Sequence, residues 1–227
     1  MQIETAKKKN FIEIKYTGYA NGEVFDSNIE EDVKKLHENA KAEKSVIVVG
    51  EGMVVPGLDK NLEGKEIGKE YEIIVPFKEG FGERKRELIK TIPLSAFKGK
   101  EVMPRVGMVL ALDQYLAKVI AISGARVVAD LNNPLAGKDL KYKIKIVRKV
   151  EDDKEKAEAY FKFFLGVSPD TESREKEIVV KLPKNLEKLI DLHKIKFKEL
   201  VGKDLTFEEK KEEKYNHEHG KEHEHKH

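Results

Sequence analysis

The stretch Val46–Gly64, VIVVGEGMVVPGLDKNLEG, decides the fold. Val46 to Val49 form an apolar run that reads as a buried strand, and Gly50 and Gly52 break it. Met53, Val54 and Val55 follow, then Pro56-Gly57, then a turn or two of helix from Leu58 to Leu62, closed by Gly64. Proline suits the first turn of a helix, where its missing N–H would have no partner, and glycine suits the end. A strand therefore feeds a glycine loop, and the loop feeds a very short helix with Leu58 and Leu62 on one face. Such a helix can centre a fold only if a sheet wraps around it.

The 227-residue chain allows one large domain or a few small ones. Charged residues make up 38% of it, yet 44 Lys and Arg nearly cancel 42 Asp and Glu. A net charge of +2 is no nucleic-acid footprint, which needs a clustered basic face. Apolar residues at 39% suffice to build cores. With no cysteine there is no disulfide, and the Lys/Glu excess resembles that of heat-adapted proteins. The start, MQIETAKKKNFIEIKY, has lysines with no apolar run behind them, so no signal peptide is expected. No run of about 20 apolar residues is present to span a membrane. The expectation is a soluble, cytoplasmic protein with no nucleic-acid or membrane partner.

Outward from the central stretch, Phe11–Tyr16 alternates as a half-buried strand, and Ala20–Glu23 turns it into a hairpin. Ser27–Ser45 reads as a solvated insertion with a helix through Glu30, Val33, Leu36 and His37, which Ser27 or Asn28 is placed to cap. Lys69–Val75 is a strand, and FKEGFGE (77–83) is a glycine-bracketed loop. Residues 84–130 hold strands at Gly107–Leu112, Ala117–Ile122 and Ala125–Ala129, an all-β unit too small to be more than marginal alone. Asp139–Val150 alternates strictly, with Leu140, Tyr142, Ile144 and Ile146 opposite Lys141, Lys143 and Lys145. Beyond it lie a helix at Asp152–Leu165, a strand at Lys176–Leu182 and mostly helical spacing over Asn185–Val201, where Ile195 and Phe197 also fit the start of a strand. Residues 208–227 are almost wholly charged and read as disordered.

Four pieces now line up: YTGYANGEVFDS (Tyr16–Ser27), GEGMVVPGLDKNLEG (Gly50–Gly64), GFGER (Gly80–Arg84) and NNPLAGKDLKYKIKIV (Asn132–Val147). Each alone is weak. In this order they resemble the FKBP family of peptidyl-prolyl cis–trans isomerases. The segment between the last two resembles the insert-in-flap domain of SlyD-type and archaeal FKBPs. The resemblance implies an α+β fold: an FKBP-type antiparallel half-barrel sheet wrapped on a short helix, with an inserted small all-β domain and a C-terminal α+β domain. The isomerase domain would comprise 1–83 and 131–151, the insert 84–130, the C-terminal domain 152–207 and the tail 208–227.

The resemblance also implies a cleft lined by Tyr16, Phe25, Asp26, Val54, Val55, Leu58, Phe81, Leu135 and Tyr142, with Leu58 as its floor. On periodicity alone, Tyr16, Phe25, Val55 and Tyr142 read as plain core residues. Leu58 stands where many family members carry Trp, Phe81 where Tyr is usual, and Tyr142 where Phe is usual. The missing hydroxyl at Phe81 argues against tight macrolide binding. Such a cleft suits rotation about an X–Pro bond, whose barrier of about 18–20 kcal/mol comes from amide resonance. Water stabilises the planar dipolar amide, and a dry aromatic cup favours the twisted form. No cofactor, nucleophile or general base is required, and Asp26 is expected to act electrostatically.

In the insert, Ile89, Ile92, Leu94, Phe97, Met103, Met108 and Leu110 either pack their own core or form an exposed patch. The resemblance implies that this unit binds unfolded or nascent protein clients. The tail HEHGKEHEHKH carries His217, His219, His223, His225 and His227, five of the seven histidines. His-x-His spacing in extended chain pairs two imidazoles for a divalent ion such as Ni, Zn or Cu. A solvating tail is the alternative; the expectation is that these histidines bind such an ion in vitro, with no biological need for it implied. His37 and His193 stand alone as surface or packing residues. The segment 152–207 is small enough to need a partner, and a homodimer through it is expected.

Overall fold

A computed structural model describes residues 3–99, 103–112 and 115–210. The chain divides into two compact units on either side of Val150 and Glu151.

The first unit is an α+β fold built on one sheet. Strand β1 (Phe11–Ala20) is its spine. One edge of β1 takes two partners in turn: β3 (Ser45–Val48) along Phe11–Ile14 and β2 (Glu23–Ser27) along Thr17–Ala20, both antiparallel. Its other edge pairs with β9 (Leu140–Lys149), and β9 pairs with β4 (Glu70–Val75), again antiparallel. The alternation read from sequence is the observed one: Leu140, Tyr142, Ile144 and Ile146 are buried and Lys143 is exposed. Opposite-charge pairs lace the outer face, with Lys145 on Glu70 and Lys141 on Glu72.

The sheet curls on α2 (Pro56–Leu62), which has proline in its first turn and buries Leu58 and Leu62. These two leucines pack with Ile12, Ile14, Ile73, Val75 and the inward face of β9. The glycine loop before the helix is held from the helix itself. Asp59 is buried, and its carboxylate accepts from the N–H groups of Gly50 (2.8 Å) and Gly52 (2.9 Å). Both glycines have positive φ, a conformation that disfavours residues with a Cβ. Helix α1 (Glu30–Leu36) follows β2. Neither Ser27 nor Asn28 caps it, because Ile29 occupies the N-cap and both side chains are engaged elsewhere.

Within this unit, residues 84–133 carry a sheet of their own, in the order β5 (Ile89–Pro93), β8 (Arg126–Asp130), β7 (Tyr115–Ser123), β6 (Val109–Leu112). Strand β5 is absent from the sequence reading; it is an edge strand ending in proline, whose missing N–H an edge tolerates. Phe97, Val119 and Val127 form the core of this sheet, with Ile92, Leu94 and Leu110 half-buried on it.

The second unit contains α3 (Asp153–Phe164), β10 (Asp170–Ser173), β11 (Glu177–Leu182), α4 (Glu187–Val201) and β12 (Asp204–Glu209). Strand β11 lies between antiparallel β10 and parallel β12. Ile195 and Phe197 lie within α4, so the strand alternative falls. The boundary placed at 207/208 is corrected: Glu208 and Glu209 pair with Lys181 and Leu182. Tyr160, Phe161 and Phe197 are fully buried and pack ring to ring. His193 is a packing residue, its Nδ1 2.8 Å from the Tyr160 hydroxyl. No described helix is long and apolar enough to cross a membrane.

Candidate functional site

The site begins with a local irregularity. Gly18 pairs with Asp26 and Tyr19 with Val24, so Phe25 is an extra residue in β2. A bulge of this kind re-aims side chains beside functional sites. Adjacent strand residues ordinarily point to opposite faces. Here Phe25 packs edge-on against Tyr142 (5.9 Å between centroids, 82°), while Asp26 accepts a hydrogen bond from the Tyr16 hydroxyl at 2.9 Å.

Gly18 makes the room. It lies directly opposite Tyr142 in the β1–β9 register. A Cβ on Gly18 would lie 2.8 Å from Phe25 Cζ and 3.0 Å from Tyr142 Cε1. Sequence reading quotes Gly18 within a motif and gives it no role; the signal was a glycine inside a strand pattern, which marks a close approach.

Tyr16 sits where β1 passes from one partner strand to the next, so its backbone lacks a ladder partner on that edge. Asn28 and Ser27 supply one. Asn28 Oδ1 accepts from the Tyr16 N–H (2.8 Å) and its Nδ2 donates to the Ile14 carbonyl (2.8 Å). The Ser27 hydroxyl donates to the Tyr16 carbonyl at 2.9 Å. Two short polar side chains thus extend the sheet around the residue that carries one wall.

Tyr16 faces Tyr142 at 6.4 Å, and Phe81 meets the far edge of Phe25 at 6.2 Å. Val54, Val55 and Leu135 are half-buried against the same cluster, and Leu58 lies in its core. Leu58, Tyr142, Phe25, Tyr16, Val54, Val55 and Leu135 therefore share one apolar cluster, with Asp26 and Phe81 at its exposed margin.

The two rim loops are tied together. Gly137 donates to the Gly82 carbonyl (2.8 Å), and Gly82 donates back to Phe77 (2.8 Å). Where the chain leaves for the insert and returns, the Arg84 guanidinium grips Asp130 (2.6 Å), and Asn132 pairs with the backbone N–H and carbonyl of Lys85. Burial works against the Asp130 charge, but bonds from Asn132 and Arg84 outweigh it and hold the carboxyl below its usual range.

Electrostatics keep the two phenols of the cleft neutral. Burial first, then the Asp26 charge, pushes the Tyr142 phenol up to about 12. The same causes, with the Asp26 hydrogen bond, raise Tyr16 well above the usual phenol range. Both hydroxyls stay protonated at neutral pH, so neither is a base.

The residues named for client binding divide. Phe97 is corrected: at 4% exposure it is the insert's own core and offers no surface. Ile89, Ile92, Leu94 and Met108 are half-buried, and Met103 is 55% exposed. The open apolar surface is carried by Val106, Val109, Tyr115 and Leu116 instead, each more than half exposed. Val109, Tyr115 and Leu116 lie in β6 and β7 and Val106 in the turn before β6, and residue type alone does not tell the open face of so small a sheet from its core. His217, His219, His223, His225 and His227 lie outside the described residues. Among the described residues, no group of three or more His, Cys, Asp or Glu is placed to hold a metal.

Against known families, residues 3–100 match the FKBP-type peptidyl-prolyl cis-trans isomerase model, and residues 90–135 match the model described as FKBP26, IF domain. A short-type peptidyl-prolyl cis-trans isomerase of Methanocaldococcus jannaschii is 31% identical over 147 residues, covering 63% of this chain and 94% of that protein. The FKBP-type isomerase SlyD of Haemophilus influenzae is 34% identical over 102 residues, covering 43% of this chain and 53% of its own length. SlyD of Escherichia coli K12 is 30% identical over 102 residues, 43% of this chain and 52% of its own. The chain thus spans nearly all of the archaeal relative and about half of each of these SlyD proteins.

Proposed function

This chain belongs to the FKBP-type peptidyl-prolyl cis–trans isomerase family, and we propose that its Tyr16–Phe25–Tyr142 cleft catalyses X–Pro rotation in unfolded or partly folded proteins. One observation supports this most: the β2 bulge and Gly18 bring Phe25 and Tyr142 edge to face in one apolar cluster, with the Asp26 carboxylate turned to Tyr16 at its exposed margin. Twisting an X–Pro amide removes resonance and reduces its dipole. A cleft that strips water from the planar amide therefore binds the twisted form better, and differential binding lowers the barrier. Only a torsion changes; no bond is made or broken and no proton moves. Asp26 orients the Tyr16 ring through its hydroxyl. A proline-limited refolding assay tests the proposal. The rate rises at a small molar fraction of the protein and shows a solvent deuterium effect near unity; acceleration only at stoichiometric amounts would falsify catalysis and leave a holdase.

The exposed apolar residues of β6 and β7 support a second activity, binding of unfolded chains by the insert. Deleting 84–130 then impairs refolding of proteins far more than isomerisation of a short peptide. In α4, Leu192 and Ile195 are 80% and 85% exposed, which supports self-association through the second unit; a monomeric mass by light scattering counts against it.

A further inference from the structure

Tyr142 forms one wall of the cleft, but its hydroxyl has no partner among the described residues. Tyr16 spends its own hydroxyl on Asp26. Tyr142, by contrast, makes ring contacts with Tyr16 and Phe25, and its oxygen hydrogen-bonds to none of the described residues. Nor is that oxygen sealed in: among the described residues, the sole buried side-chain polar atom without a partner is the Thr171 hydroxyl. A residue only 4% exposed therefore keeps some solvent contact at its polar tip. The ring is fixed by Gly18 on one side and Phe25 on another.

When a peptide fills the cleft this donor gives up its water, which costs free energy unless the peptide pairs with it. An incoming peptide offers, above all, main-chain carbonyls, which accept. Resting on the isomerase reading, we propose that the Tyr142 hydroxyl is the cleft's free hydrogen-bond donor and anchors a main-chain carbonyl of the bound X–Pro peptide. A bond of this kind holds the planar and twisted forms alike. It tightens binding and leaves the torsional step unchanged.

Tyr142→Phe in the full chain tests this with little risk to folding, since the hydroxyl bonds none of the described residues. With a short peptide carrying one X–Pro bond, KM rises about threefold to tenfold, equivalent to about 0.7–1.4 kcal/mol. The turnover number stays within about twofold, the signature of lost uniform binding. The thermal midpoint does not fall, whereas a structural hydroxyl would lower it. Infrared difference spectra of peptides with one carbonyl at a time carbon-13 labelled supply a readout independent of catalysis: one carbonyl band shifts to lower frequency on binding wild type and not on binding Tyr142→Phe. Unchanged KM with identical carbonyl bands overturns the assignment, as does a fall in turnover at constant KM. A wild type that binds with the band shift but accelerates nothing sinks the isomerase reading and upholds the anchor.

Discussion

Gly18→Ala separates the cleft from the fold more sharply than any truncation of its walls. The new methyl carbon would lie 2.8 Å from Phe25 Cζ and 3.0 Å from Tyr142 Cε1, while ordinary contact begins at 3.4 Å. Phe25 must therefore retreat by about 0.6 Å and Tyr142 by about 0.4 Å, the two rings converging on the space a proline would enter. Gly18 lacks a positive φ, so alanine fits its backbone. Replacing glycine inside a strand gains roughly 0.5–1 kcal/mol. Overpacking costs about 1–3 kcal/mol, so the net loss of stability is about 0–2.5 kcal/mol and the variant folds. Activity suffers more, because misplacing a reacting site by about 1 Å can remove roughly a hundredfold. For a shift of this size, kcat/KM in a peptide isomerisation assay falls on the order of tenfold. Adding Phe25→Leu relieves the clash and recovers stability without restoring activity. Wild-type kcat/KM in a folded Gly18→Ala protein would refute the claim that Phe25 and Tyr142 form the working walls.

Other consequences follow from single contacts. Asp59→Ala leaves the Gly50 and Gly52 N–H groups without their acceptor and costs about 1–3 kcal/mol, read as a lower denaturant midpoint. In a spectrophotometric titration, Tyr16 and Tyr142 ionise above the ordinary phenol value. A raised folded pKa stabilises the fold fully below the phenol's unfolded value near 10, and that contribution disappears as pH climbs through about 12. Activity is accordingly flat from pH 6 to 9 as far as these phenols are concerned, and a phenol titrating near pH 7 in the folded protein would contradict it. Leu116→Glu, on a side chain 71% exposed, lowers suppression of client aggregation and leaves peptide isomerisation intact.

The parts of this molecule that were legible in its sequence are those written in local punctuation. Pro56 and Gly64 bracket the short helix, and the lysine alternation fixes which face of β9 is buried. The order of four motifs named Tyr16, Phe25 and Tyr142 together, and these rings are neighbours in the structure. What escaped was written in register. No pattern in EVFDS reveals that one residue is surplus, since the bulge exists only relative to Gly18 and Tyr19 across the strand pair. Ser27 and Asn28 carry the residue types of helix caps, but the gap between two partner strands draws them to Tyr16 and Ile14 instead. Strands β10 and β12 are polar edge strands; DTES and the end of DLTFEE lack the apolar alternation that marks a half-buried strand, and their pairing to β11 is non-local. The insert's apolar residues were read as one set, whereas a small sheet divides them between a core at Phe97 and an open face at Leu116.

The central claim is that a water-poor aromatic cleft lowers an amide torsional barrier. Its most direct test is the catalysed isomerisation rate of a single X–Pro peptide, compared between wild type and Phe25→Ala with the folded state of each verified. The account predicts acceleration by wild type at small molar ratios and a loss of at least about tenfold in the variant. A folded wild type that accelerates nothing, or a Phe25→Ala protein as fast as wild type, would contradict it.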